Sequence, residues 1–134
     1  MQITPYLFFA GRCEEALKFY ESAVGAKTEF VFRSREAPDG QQMPDPDNIM
    51  HASLRLGDSL LYASDGCDDN SAKTRVFLSI AVKDTTEGQR VFDALAVGGT
   101  VSMPFGKTFW AEGFGMLVDQ FGISWMVNCE SAKP

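Results

Sequence analysis

Residues 109–126 read FWAEGFGMLVDQFGISWM. The cluster Asp119-Gln120-Phe121-Gly122 is turn-type, and the residues on either side read as two paired strands, 109–118 and 123–129. The stretch holds both tryptophans, Trp110 and Trp125, and places an acid, Glu112, between Trp110 and Phe114. A third strand is expected at 100–105. Upstream of it Val91, Phe92 and Leu95 form a helical stripe that Gly98-Gly99 ends, and Asp84 followed by Glu87 has capping-box spacing. Before that helix, Arg75–Val82 alternates. Val76, Leu78, Ile80 and Val82 fall on its buried side, with Phe77, Ser79 and Ala81 opposite.

The first half repeats this order. Residues 2–9 are aromatic-rich and read as a strand. From Arg12 to Val24, Ala16, Leu17, Tyr20, Ala23 and Val24 recur at helical spacing, and Gly25 suits the left-handed position that ends a helix. Thr28–Arg33 is β-branched and aromatic, hence a strand. Ile49–Leu56 sets Met50, Ala52, Leu54 and Leu56 on one face and His51, Ser53 and Arg55 on the other, and Gly57-Asp58 turns it into Ser59–Ser64. Residues 34–48, with three prolines and no periodicity, form a long loop, either a mobile connection or a lid. Residues 65–73 are a polar linker.

The two halves echo each other. Phe19-Tyr20 with Val24-Gly25-Ala26 answers Val91-Phe92 with Val97-Gly98-Gly99. Each half reads strand, helix, three strands. The fold class is therefore α+β: two βαβββ modules, about 1–65 and 74–130, in a single domain. They are expected to form an eight-stranded mixed-sheet cup with helices outside and a ligand cavity within.

The totals agree with one globular domain. The chain has 134 residues, 45% of them hydrophobic and 22% charged. A net charge of −6 and the absence of any Lys/Arg run argue against nucleic acid or an anionic membrane as partner. No apolar stretch approaches the roughly 20 residues that span a bilayer. Cys13, Cys67 and Cys129 match no paired motif and read as thiols of a reducing cytoplasm.

Several stretches, in order and spacing, resemble the glyoxalase / bleomycin-resistance / extradiol dioxygenase superfamily (vicinal oxygen chelate), and within it the PhnB-like branch. They are Pro5-Tyr6-Leu7 with Phe9 and Gly11, Ala16–Tyr20, His51-Ala52-Ser53 with Leu54, Ser64-Asp65, Phe109–Gly115, and Asp119-Gln120-Phe121-Gly122 with Trp125. The resemblance implies a cup that pairs as a homodimer. It also implies a divalent metal held by His and Glu on strands one, four, five and eight. Those positions map to Pro5, to within a residue of Leu61, to Phe77 and to Met126. None offers a nitrogen or oxygen donor, so neither metal nor other cofactor is expected. The methyltransferase label sometimes given to this branch finds no strand–glycine-rich loop–helix unit to hold a nucleotide cofactor.

His51 is the sole histidine, and it reads either as a hydrogen-bonded structural residue or as a ligand contact and proton acceptor. Glu112, in apolar company, reads either as a solvated carboxylate or as a general acid or base. A ligand pocket is expected from His51, Ser53, Arg55, Phe77, Ser79, Trp110, Glu112, Met126 and Asn128. Trp110 is expected to share a face with Glu112, and Trp125 to pack against a helix. Asp65 and the acids at 68–69 read as a solvated turn, and Cys13 as an inert thiol. The leading expectation is a metal-independent binder of a small molecule. The alternatives are a lyase- or isomerase-type enzyme using His51 and Glu112, and a drug-sequestering resistance-type protein.

Overall fold

A computed structural model describes residues 3–66 and 76–130. The chain divides into two compact units, Met1–Lys73 and Thr74–Pro134. Arg75, Cys67 and the acids at 68–69 lie outside the described residues.

The first unit runs β1 (Tyr6–Phe8), α1 (Cys13–Val24), β2 (Lys27–Arg33), β3 (Ile49–Leu56) and β4 (Ser59–Ser64). Its sheet has the order β1-β4-β3-β2, with β1 parallel to β4 and the other neighbours antiparallel. α1 buries Ala16, Leu17, Tyr20 and Ala23, the i, i+1, i+4, i+7 set of one helical face, and stops where Gly25 adopts φ 72°. Ala52 and Leu54 of β3 and Leu61 and Ala63 of β4 are buried on the side that receives the helix. The start of α1 is capped from a distance. Arg12, in the cap position, makes no side-chain capping bond to the helix N–H groups, and the Asp65 carboxylate accepts from the Cys13 N–H at 2.7 Å. Its second oxygen accepts from the Ile49 N–H at 2.8 Å. Asp65 is only 7% exposed. It is a structural tie between β4, α1 and β3, not the solvated acid that its polar neighbours suggest.

The long loop is folded back on itself. A 3-10 turn, Ser34–Glu36, opens it. Ser34 is fully buried, its N–H donates to the Asn48 carbonyl, and its hydroxyl accepts from the Met43 N–H at 2.7 Å. Arg33 reaches the Asp47 carbonyl and the Glu14 carboxylate of α1. That hydrogen bond and charge hold Glu14 below the usual carboxylate range.

The second unit repeats the order with β5 (Leu78–Ala81), α2 (Thr85–Ala96), β6 (Thr100–Gly106), β7 (Ala111–Val118) and β8 (Ser124–Glu130). The sheet order β5-β8-β7-β6 matches that of the first unit strand for strand. Among the described residues the eight strands therefore hydrogen-bond as two mixed sheets of four. The Asp84 side chain caps α2 by accepting from the Glu87 N–H at 2.8 Å, and the Glu87 carboxylate reaches back to the Lys83 N–H at 3.2 Å. α2 buries Gly88, Val91, Phe92 and Leu95.

Glycines decide how this unit packs. The tip of the Phe105 ring lies between α2 and β7, and a Cβ on Gly88 would stand 2.5 Å from it. A Cβ on Gly113 would meet the same ring tip closer still, and one on Gly115 would stand 2.6 Å from Phe92. The ring sinks only because these positions lack a side chain. At the far end of β7, Asp119 is 3% exposed. Its Oδ1 accepts from the Phe121 and Ile123 N–H groups, and its Oδ2 accepts from the Trp125 indole at 2.8 Å. Trp125 and Val127 are buried on the helix side of the sheet, as the alternation of the sequence requires.

Candidate functional site

His51 stands on the face of the first sheet that points away from α1. Its Nδ1 is joined to Tyr6 Oη at 2.9 Å. Where the phenol donates, the ring proton rests on Nε2. Ring centroids of Tyr62, Tyr6 and Phe30 lie 4.8, 5.6 and 6.2 Å from the imidazole, and Phe8 stacks on Tyr6 at 4.9 Å. Register explains the gathering. Tyr6 is opposite Tyr62, Tyr62 opposite Ser53, and Ser53 opposite Phe30, so all four point the same way.

Three of these rings keep much of their surface in water: Tyr6 39%, Phe8 50% and Phe30 52%. Isolated exposed rings are ordinary, but several around one hydrogen-bonding group are the pattern of a recognition surface. The sequence signal for Tyr6 and Phe8 lay in the aromatic content of residues 2–9. The gathering of Tyr62 and Phe30 around His51 depends on cross-strand register, which one strand's sequence does not carry.

Ser53 shares this face and is half-buried. Arg55 is already engaged. It meets Glu29 through two contacts of 3.1 and 3.3 Å, which also raise its affinity for its proton. Its charge is matched within the protein by the Glu29 carboxylate.

In the second unit Ser79 is opposite Met126, Met126 opposite Met116, and Asn128 opposite Phe114. This is the sheet face away from α2, to which the alternation of its strand also assigns Phe77. Trp110 lies ahead of β7 and meets Phe114 edge-on at 5.6 Å. Glu112 goes elsewhere. Between Ala111 and Gly113 the pairing advances two residues on β7 for one on β8, a bulge that redirects the intervening side chain. Glu112 lines a groove of about 660 Å³ with Thr85, Thr86, Gln89, Arg90 and Asp93 of α2 and Phe105, Gly106 and Lys107 of β6 and its exit. A bulge that strict alternation does not foresee thus lies at Glu112, two residues beyond Trp110. Each unit places its own catalytic candidate, His51 in the first and Glu112 in the second.

The donor set for a metal is poor. Leu61 is buried on the helix side, and the residues beside it that face outward are Leu60 and Tyr62. Pro5 contributes its carbonyl to the Tyr62 N–H. Phe77 and Met126 supply a ring and a thioether. Among the described residues no three His, Cys, Asp or Glu side chains gather as a metal would require. A hard divalent ion does not fit these positions. A nucleotide-type methyl donor fits no better. Phe9-Ala10-Gly11-Arg12 and Val82-Lys83-Asp84, the two strand-to-helix connections, lack the glycine-rich pattern, and each sheet has one parallel pair instead of a parallel core.

Cys13 is fully buried at the first turn of α1, and its thiol is pushed up to about 12 by burial first and by the Asp65 charge second. The helix start does not make it a thiolate. Cys129 is likewise raised, mainly by burial.

Residues 1–128 match the family model described as 3-demethylubiquinone-9 3-methyltransferase. The chain belongs to this family. YjdN of Escherichia coli K12 is 35% identical over 100% of this chain and 99% of its own. The crystal structure of PA1353 from Pseudomonas aeruginosa is 41% identical, with TM-score 0.87 over 98% of this chain and 99% of that one. A Bacillus cereus structure described as a putative 3-demethylubiquinone-9 3-methyltransferase, PhnB protein, is 27% identical, with TM-score 0.82 over 96% and 99%. The fold also matches a glyoxylase/bleomycin resistance protein/dioxygenase domain from Frankia sp. EAN1pec, TM-score 0.69 at 13% identity over 100% and 95% of the chains. The family is therefore one of PhnB-like proteins with the glyoxalase fold. No described helix is long and apolar enough to cross a membrane.

Proposed function

We propose that the protein binds a small organic molecule without a metal, on the His51 face of its first unit. One observation carries this reading: Tyr6, Phe30 and Tyr62 surround a histidine whose Nδ1 is already held by Tyr6, and Phe8 stacks on Tyr6. Such a surface suits a flat, uncharged ligand that stacks on the rings and hydrogen-bonds to Nε2, with Ser53 at its edge. The methyl transfer in the family's description is not adopted, because the residues present do not fit a nucleotide-type donor. The second unit offers a face of its own in Phe77, Ser79, Met126 and Asn128, with Trp110 beside it. A homodimer is part of the proposal, motivated by the superfamily resemblance and by the exposed rings. Light scattering that returns a one-chain mass at micromolar concentration would remove that part.

A thermal-shift screen of quinones, phenols, thiol conjugates and aromatic drugs tests the reading, since a ligand of the native state raises the melting temperature. A hit is expected to bind His51→Ala about tenfold more weakly and Tyr6→Phe detectably more weakly. Hits whose affinity depends on Met126→Ala and not on His51→Ala would move the site to the second unit. A ligand that requires added divalent metal would overturn the metal-free claim.

A further inference from the structure

The groove along α2 is a built feature. Its floor is Phe105, sunk between Gly88 and Gly113 where a Cβ at either position would forbid it. One wall is the first two turns of α2, which present Thr85, Thr86, Gln89, Arg90 and Asp93. The other wall is Lys107 with Glu112, which lies at the β7 bulge between Ala111 and Gly113. Bulges interrupt a ladder and recur where a side chain must be re-aimed.

The charges in the groove are balanced, and most are unspent. Among the described residues Arg90, Lys107 and Glu112 enter no ion pair, nor do Lys27 and Lys83 elsewhere, whereas Arg12, Lys18, Arg33, Arg35 and Arg55 all do. Asp93 accepts from Gln89 at 2.8 Å and enters no ion pair among the described residues. Two cations and two carboxylates therefore face one space of about 660 Å³, within the range of small-molecule sites. Neither a pure anion nor a pure cation would satisfy that set without leaving like charges opposed. We infer that this groove is a second binding site, separate from the His51 face, for a small zwitterion of the amino-carboxylate class. The carboxylate meets Arg90 and Lys107, the ammonium meets Glu112 and Asp93, and the aliphatic link lies on Phe105.

Amide chemical shifts of the full-length protein test this with γ-aminobutyrate as probe and butyrate and butylamine as its half-charged controls. γ-Aminobutyrate is expected to give saturating shifts at Thr86, Gln89, Gly106 and Lys107, with each control about tenfold weaker. Glu112→Gln is expected to weaken γ-aminobutyrate and butylamine about tenfold and to leave butyrate unchanged, and Arg90→Gln to do the converse. Both positions are exposed, and an otherwise unchanged spectrum verifies folding. His51→Ala is expected to leave every titration as it is, which separates this site from the one on the first unit. Non-saturating shifts, a control that binds as well as γ-aminobutyrate, or an unchanged titration in Glu112→Gln would each overturn the inference.

Discussion

Asp65→Ala tests the tie that joins β4, α1 and β3. The substitution removes two charge-assisted hydrogen bonds, 2.7 Å from the Cys13 N–H and 2.8 Å from the Ile49 N–H. Both donors are buried, and a buried N–H left without a partner costs about 1–3 kcal/mol. Two such losses give about 2–6 kcal/mol, reduced somewhat because a buried carboxylate no longer has to be desolvated. A destabilisation of about 3 kcal/mol is expected in urea unfolding, followed by circular dichroism with the slope checked against wild type. Asp65→Asn keeps an acceptor for one donor and is expected to fall about halfway. Hydrogen exchange supplies the local readout, with the amides of Cys13 and Ile49 losing protection before the rest of their elements. A solvated turn residue would change stability by no more than about 0.5 kcal/mol. A value that small for Asp65→Ala, or unaltered exchange at both amides, would refute the tie.

The Phe105 seat predicts a cycle. Gly113→Ala is expected to cost about 1–3 kcal/mol by overpacking and Phe105→Ala about 3–5 kcal/mol by loss of the ring, while the double substitution costs less than their sum in urea unfolding. Cys13 gives a pH dependence with a definite sign. Its thiol titrates at about 12 in the folded protein against 9.0 unperturbed, so the folded state holds the proton more tightly. The associated stability is complete below pH ~9 and is lost as pH rises toward ~12, by up to about 4 kcal/mol. Cys13→Ala is expected to flatten that alkaline decline relative to wild type, and parallel curves would contradict it. Asp119→Ala strips partners from two backbone donors and the Trp125 indole, so Trp125 fluorescence is expected to shift to longer wavelength, with a loss of about 3 kcal/mol or more.

The elements were legible because their signals are local. Ile49–Leu56 and Ser59–Ser64 end where the alternation and the Gly57-Asp58 turn place them, and α1 ends at Gly25. The faces were legible wherever alternation runs unbroken, as for His51 and Ser53 or Met126 and Asn128. What escaped depends on distant partners. Asp65 reads as a loop acid until Cys13 and Ile49 arrive from 52 and 16 residues away. The placement of Glu112 rests on a one-residue offset between β7 and β8. Tyr62 and Phe30 join His51 only through two strand registers taken together.

The seat of Phe105 also constrains how this protein can change over time. A lineage that places a side chain at 113 while the ring remains must cross an overcrowded intermediate, and one that gives up the ring first must cross a hollow one. Either first step lowers stability before the second restores it, so neither change spreads easily alone. Descendants are expected to keep aromatic 105 together with glycine 88 and 113, or to have replaced the group together.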